Sequence, residues 1–243
     1  MRTIKLNAID STNSYMRRLS YEENLEDYTI VTAEHQTNGR GQMGTIWSSE
    51  NSKNLMFSVF KDTSKFNLEY PFLISIVTSL AILKALQSFS ISKLSIKWPN
   101  DILSEDKKIC GILIENVIKQ NRLSNTIIGV GLNVNQTEFI NLPKASSLKL
   151  ITGNVFDLEE VLFETVKNLK YYFKILKKVD YHTLQSTYEA HLFRKNKPST
   201  FKDHKGFIFS GYIKSVTLSG SLQVLLEDNI IKEFDLKEVT LMY

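Results

Sequence analysis

The chain has 243 residues, 42% of them hydrophobic, enough for one sizeable core and a small appended module. Its 30 basic and 26 acidic residues leave a dispersed net charge of +4, which excludes the concentrated field of a dedicated nucleic-acid binder. A single cysteine excludes a disulfide framework. No apolar run is long enough to span a bilayer and none follows the N-terminus, so no membrane partner is expected and cytoplasmic location is.

The first motif in chain order is Asp10-Ser11-Thr12-Asn13-Ser14, a run of short polar side chains that predicts a helix cap for residues 15–19. Capping does not need all of them, and the other hydroxyls can hydrogen-bond a neutral polar ligand head. Residues 29–33 and 55–60 read as strands on either side of a glycine-rich loop, with a polar stretch over 48–54. Gly39-x-Gly41-x-x-Gly44 has the letters of the dinucleotide fingerprint, and Asp62 stands where a ribose-binding acid belongs. Residues 45–54 lack the helical period needed to place pyrophosphate on a helix N-terminus, so that reading is set aside. Two readings stay open: a glycine-rich surface turn, or an anion cradle in which Arg40 folds over a ligand beside the neutral groups of Gln36, Asn38 and Gln42.

Pro71 suits the first turn of a helix whose apolar positions, Phe72 to Leu86, recur at three- and four-residue spacing. Residues 94–98 predict a strand stopped by Pro99. In Lys97-Trp98-Pro99-Asn100-Asp101, the Asn-Asp pair is either a turn between strands or a source of oxygen ligands for magnesium, with Lys97 on phosphate. Lys108 precedes the apolar run 109–114; it either points inward at a charged partner or snorkels from a hairpin edge. Residues 109–118 and 126–134 read as a strand pair joined by a polar turn over 119–125, with Cys110 as a small apolar strand residue. Gly129 and Gly131 on one strand face either admit a flat ring, with Asn133 beside it to read an adenine edge, or mark close packing.

Asp157 predicts the cap of a helix over 158–176, whose Lys167, Lys170, Lys174, Lys177 and Lys178 form a solvated face. A second amphipathic stretch covers 181–192. Beyond Pro198 only short alternating runs remain, as in a small antiparallel barrel, so two units are expected: 1–195 and 196–243. His35, His182, His191 and His204 show no metal-ligand spacing, and no Ser/His/Asp arrangement is evident.

Taken in order, Ser11-Thr12-Asn13, Gln36, Gly39-Arg40-Gly41, Lys97-Trp98-Pro99-Asn100-Asp101, Lys108, Gly111 and residues 129–133 resemble the biotin-protein ligase family. Each motif is weak alone, and the set is specific. The resemblance implies an α+β fold of the class II synthetase-like, biotin/lipoate ligase type: a mixed β-sheet flanked by helices, with a small SH3-like β-barrel as C-terminal domain. It implies biotin as substrate, ATP as co-substrate and Mg2+. Biotin would be activated to biotinyl-5'-AMP and transferred to one lysine of a biotin carboxyl carrier protein or domain of a biotin-dependent carboxylase.

Carried over residue by residue, the resemblance assigns biotin to Ser11, Thr12, Asn13, Gln36, Arg40, Gly41, Gln42, Lys108 and Gly111. ATP falls to Arg40, Gly41, Lys97, Asn100, Asp101, Lys108 and Asn133, magnesium to Asp101, and charge stabilisation during transfer to Lys108, Arg40 and Lys97. The glycine loop is expected to order on binding, since it has little apolar area to hold it closed. Gln42 stands where many relatives carry arginine, which bears on how firmly the adenylate is held. Bifunctional relatives begin with a winged helix-turn-helix; here Asp10-Ser11-Thr12-Asn13 arrives at once, so a monofunctional ligase without sequence-specific DNA binding, monomeric or homodimeric, is expected. The rivals are a lipoate ligase or octanoyltransferase of the same superfamily and, from another class, a non-catalytic protein- or RNA-binding module.

Overall fold

The computed structural model describes residues 2–66, 68–120, 122–178 and 180–243. Among these, a seven-stranded sheet runs in the order β1-β2-β3-β7-β6-β5-β4. Its strands are β1 (Thr3–Ile9), β2 (Ile30–Gln36), β3 (Leu55–Asp62), β4 (Leu94–Lys97), β5 (Asp101–Ser104), β6 (Lys107–Lys119) and β7 (Arg122–Leu132). The β1–β2 pair is parallel, because α1 (Thr12–Glu22) carries the chain back between them, and the other pairs are antiparallel. The sheet is therefore mixed, as expected. β6 and β7 form the longest hairpin; Asn121, within the expected 119–125 turn, lies outside the described residues.

Alternation along the central strands divides the sheet into two faces. Leu55, Phe57 and Val59 of β3, Cys110 and Ile112 of β6, and Ile128, Val130 and Leu132 of β7 share one core cluster with α2 (Phe72–Ser88) and α4 (Leu158–Leu176). α2 is apolar nearly all round, and between Leu73 and Leu86 all but Ser75 and Lys84 are buried, as the middle layer of a helix-on-sheet stack must be. Asp157 caps α4 as predicted, its carboxylate accepting from the Glu159 and Glu160 amides, and the five lysines of that region are exposed. On the opposite face α1 covers only one end, through Met16 against Val31, Phe60 and Ile127. The rest of that face is left for the site.

After α3 (Leu148–Thr152) and α5 (Tyr181–Ala190), five strands form a second, antiparallel sheet: β8 (Pro198–Asp203), β9 (Ile208–Val216), β10 (Leu222–Leu226), β11 (Ile231–Phe234) and β12 (Val239–Met242). Its order is β11-β10-β9-β8-β12, and among the described residues the outer strands β11 and β12 do not pair. This corrects the expectation of a barrel: the sheet is open. Its inner face continues into the main core through Phe201, Ile213, Val216, Leu222, Val224 and Phe234. With no second layer of its own, it closes on the larger sheet's helices instead of on itself. No described helix is long and apolar enough to cross a membrane.

Candidate active site

The sheet face turned away from α2 carries Ser58 on β3, Gly129 and Gly131 on β7, and Gly111, Leu113 and Glu115 on β6; Gly111 pairs with Gly131, and Leu113 with Gly129. Small residues at the centre leave a hollow floor. Side chains from three loops stand round it.

At the start of α1, Ser11, Thr12 and Asn13 are all buried. The Gln36 Oε1, at the end of β2, accepts from the Thr12 amide at 2.8 Å and from the Thr12 hydroxyl at 3.1 Å. The Ser58 hydroxyl donates to Asn13 Oδ1 at 2.5 Å and lies 2.8 Å from Thr12 Oγ1. Asn13 Nδ2 donates to Glu115 Oε2 at 2.9 Å and to the Leu113 carbonyl at 3.3 Å. Thr12 and Asn13 are thus largely spent on holding α1 to the sheet. What remains for a ligand is the Ser11 hydroxyl, which makes no capping bond, and the Gln36 amide nitrogen. The expectation that the hydroxyls cap the helix is corrected: Ser11 stands at the N-cap but serves α1 through its backbone, its carbonyl accepting from the Tyr15 amide at 2.9 Å while its own amide donates to Asp10 Oδ1 at 2.8 Å.

The glycine loop between β2 and β3 doubles back on itself: the Gly41 amide donates to the Thr45 carbonyl at 2.7 Å and the Trp47 amide to the Gly39 carbonyl at 2.9 Å. A single 3₁₀ turn, Gln42–Gly44, takes the place a Rossmann helix would occupy. Trp47 then lays its indole on the floor. A Cβ on Gly131 would lie 2.4 Å from the ring and one on Gly129 2.3 Å from Asn13 Oδ1, so a methyl at either site cannot coexist with this arrangement. The flat group that Gly131 admits is the chain's own indole, whose buried N–H finds no acceptor among the described residues, whereas Gly129 makes room for Asn13.

Lys97 at the end of β4, Asp101 at the start of β5 and Lys108 on β6 converge beside Trp47. Lys108 Nζ lies 2.7 Å from Asp101 Oδ1 and Lys97 Nζ 3.8 Å from Asp101 Oδ2. Lys108 therefore takes the inward, charge-paired alternative. Two ammonium groups against one carboxylate leave one positive charge at the junction, with 22% of the Lys97 and 35% of the Lys108 side chain exposed. Burial pushes the Lys97 ammonium below its usual range; Asp101 opposes that and Lys108 adds to it. Asn100 is occupied in part, its Nδ2 donating to the Ile112 carbonyl at 2.7 Å. The Cys110 thiol, fully buried on the core side, is pushed far above its usual range by desolvation and is unreactive.

Two adjoining cavities meet across Trp47, Lys97, Asp101 and Lys108. One, of about 430 Å³, brings together Ser11, Thr12, Asn13, Gln36, Arg40, Gly41, Gln42, Asn100 and Gly111 with those four. The other, of about 280 Å³, adds Asn133, Lys144 and Tyr243. Every residue that the resemblance assigns to biotin, ATP or magnesium lines one or the other, while Asn38 of the glycine loop lines neither. Asn133 is turned partly aside, its Nδ2 donating to the Ser146 carbonyl at 3.0 Å. For magnesium the fit is narrow: no group of three His, Cys, Asp or Glu is gathered among the described residues, and Asp101 stands alone beside two lysines. An ion there has to be carried chiefly by phosphate oxygens and water, with one protein carboxylate, which is ordinary for Mg2+.

The sequence model of the Biotin/lipoate A/B protein ligase family matches residues 6–133, more than half of the chain and every candidate position. The chain belongs to the biotin/lipoate A/B protein ligase family. It is 32% identical over 158 residues to the bifunctional ligase/repressor BirA of Bacillus subtilis, covering 63% of this chain and 48% of that protein. To the biotin–[acetyl-CoA-carboxylase] ligase of Mycobacterium tuberculosis it is 33% identical over 125 residues, 50% of this chain and 45% of the other. The chain spans about half the length of the curated relatives it matches. Along the whole fold it is similar to the biotin protein ligase of Aquifex aeolicus in complex with biotin and ATP: TM-score 0.82, 27% identity, 99% of this chain and 98% of that one. Trp47, Ser58 and Glu115, which lie on or against this sheet face, are not singled out by the sequence reading. Ser58 and Glu115 carried a signal, each being polar inside an apolar strand run.

Proposed function

We propose that this chain is a biotin-protein ligase, forming biotinyl-5'-AMP from biotin and ATP and passing biotin to a lysine of a biotin carboxyl carrier domain. One observation carries the reading: a cavity with Ser11, Thr12, Asn13 and Gln36 in its lining also holds Lys97, Asp101 and Lys108, and a second cavity shares those three charged residues and adds Lys144. That is the arrangement two substrates need when a carboxylate must meet a phosphate. The similarity to a ligase described with biotin and ATP supports it.

In this reading Ser11 and the Gln36 amide take the polar head of biotin, and the apolar floor takes the rest. The carboxylate oxygen attacks the α-phosphorus of ATP, a P–O bond breaks, and pyrophosphate leaves. Lys108 and Lys97 oppose the negative charge that builds on the phosphate; the surplus positive charge at Asp101 is already in place and needs little reorganisation. Trp47 and the glycine loop exclude water from the mixed anhydride. A neutral carrier ε-amine then attacks the acyl carbon, AMP leaves, and the amine loses its proton. Mg2+, held on the phosphates with Asp101, would neutralise the triphosphate; Asn133 and Asn100 stand on the ATP side.

The test is pyrophosphate exchange into ATP with magnesium, in the presence of biotin and then of lipoate. Exchange with biotin is expected. Exchange with lipoate alone would move the chain to the lipoate side of the family, and exchange with neither would sink the enzyme reading.

A further inference from the structure

Glu115 sits where none of the assigned roles reaches. It lies on the site face of β6, its side chain only 14% exposed, yet it is surrounded by donors: Arg40 Nη2 at 2.9 and 2.8 Å from its two oxygens, Asn13 Nδ2 at 2.9 Å, and Arg17 Nη2 at 3.3 Å. It thereby joins the start of α1, the glycine loop and the central sheet. The Trp47 ring on Gly111 and Gly131 is a second contact of the loop with the sheet, its backbone bonds from Gly41 and Trp47 are internal to it, and at its base the Asn38 amide donates to the Asp10 carbonyl at 2.9 Å. Among the described residues, Arg40 spends only Nη2 on Glu115. Nη1 and Nε stay free on a side chain that lines the larger cavity.

We propose that Glu115 is a positioning residue: its carboxylate fixes one edge of the Arg40 guanidinium so that the remaining donors are aimed at an anionic ligand group in the cavity. This rests on the ligase reading for the identity of that ligand, the biotin carboxylate and the adenylate made from it. The physical basis is that a guanidinium presents a rigid planar fork, so fixing one nitrogen fixes the rest, whereas an unpaired arginine on a glycine loop has many rotamers to lose on binding. The acid also answers the charge of Arg17, which leaves Arg40 as the member of the trio that a ligand can reach.

The experiment is a double-mutant cycle on biotin affinity by isothermal titration, with Glu115→Gln, Arg40→Ala and the double variant. Gln retains a carbonyl oxygen for Asn13 and removes the charge that holds Arg40. Losing a charge-assisted bond predicts roughly tenfold weaker biotin binding for Glu115→Gln, and a double variant no weaker than Arg40→Ala alone. Full additivity, or unchanged affinity in Glu115→Gln, would overturn the proposal, because a role confined to Asn13 or to general stability does not depend on Arg40. A second readout needs no ligand: trypsin cleavage after Arg40, followed by mass spectrometry, is expected to be several-fold faster in Glu115→Gln. If the wild type neither binds biotin nor exchanges pyrophosphate, the ligase reading fails, and the cleavage comparison alone decides whether Glu115 holds the loop. Equal cleavage in both proteins would then refute it.

Discussion

At the scale of single residues, the site depends on two cations gathered on one carboxylate, Asp101. Lys108→Gln keeps the stem and removes the charge nearest Asp101, so biotin-dependent pyrophosphate exchange is expected to fall ~10²-fold or more, with little change in thermal stability. Lys97 differs because burial lowers its pKa. The folded state favours its neutral form, so charging it costs stability at every pH below the lowered value. That cost disappears as pH rises towards 10.5, the usual lysine value. Lys97→Met is therefore expected to raise Tm at neutral pH, by about 2–4 °C for each kcal/mol relieved, while abolishing exchange. Thermal scans across pH check the sign: the gap between variant and wild type must narrow on going alkaline, and a constant gap would refute the account. Lys108 was legible in the sequence as a charge abutting an apolar run. Glu115 carries the same signature, but its meaning depends on Arg40, 75 residues away, and no local pattern shows such a partner.

Among elements, those with a long buried face could be read, whereas a strand that buries nothing or is very short could escape. α2 and α4 declare themselves by apolar recurrence and, in α4, by the Asp157 cap. β1 has no buried residue along its length and β5 has only four residues, so neither imprints a period-two pattern strong enough to read. The β7 glycines were legible as a place of close approach, but not what approaches, since Trp47 reaches Gly131 from a loop and Asn13 reaches Gly129 from α1. Gly131→Ala tests that contact. Its methyl would meet the indole at 2.4 Å, and displacing the ring or the strand is expected to cost about 1–3 kcal/mol. Tryptophan fluorescence should report the ring's new environment, and biotin binding should weaken with it. An unchanged spectrum with unchanged binding would mean that the loop's seat on β7 has no part in the site.

On the scale of the whole molecule, the chain changes character near Pro198 without becoming two independent bodies. The core that begins under α2 runs through Leu184, Tyr188 and Leu192 into Phe201, Ile213, Val216 and Val224. Polar bonds cross the same seam: the Trp98 indole donates to the Gly220 carbonyl at 2.9 Å, and Glu189 accepts from the Val216 amide at 3.0 Å. The composition shift marked the seam in sequence, whereas the sharing of one core across it is a matter of packing that no strand pattern encodes. An open five-stranded sheet with its inner face in a common core has little stability of its own. Calorimetry is therefore expected to show one unfolding transition for both sheets. Trp98→Phe, which deletes the indole donor and keeps an aromatic ring, should lower stability by about 0.5–1.5 kcal/mol and shift that transition as a whole. The pattern that would refute a common core is a second transition, present in the wild type or split off by Trp98→Phe, that melts the C-terminal strands while the larger sheet persists.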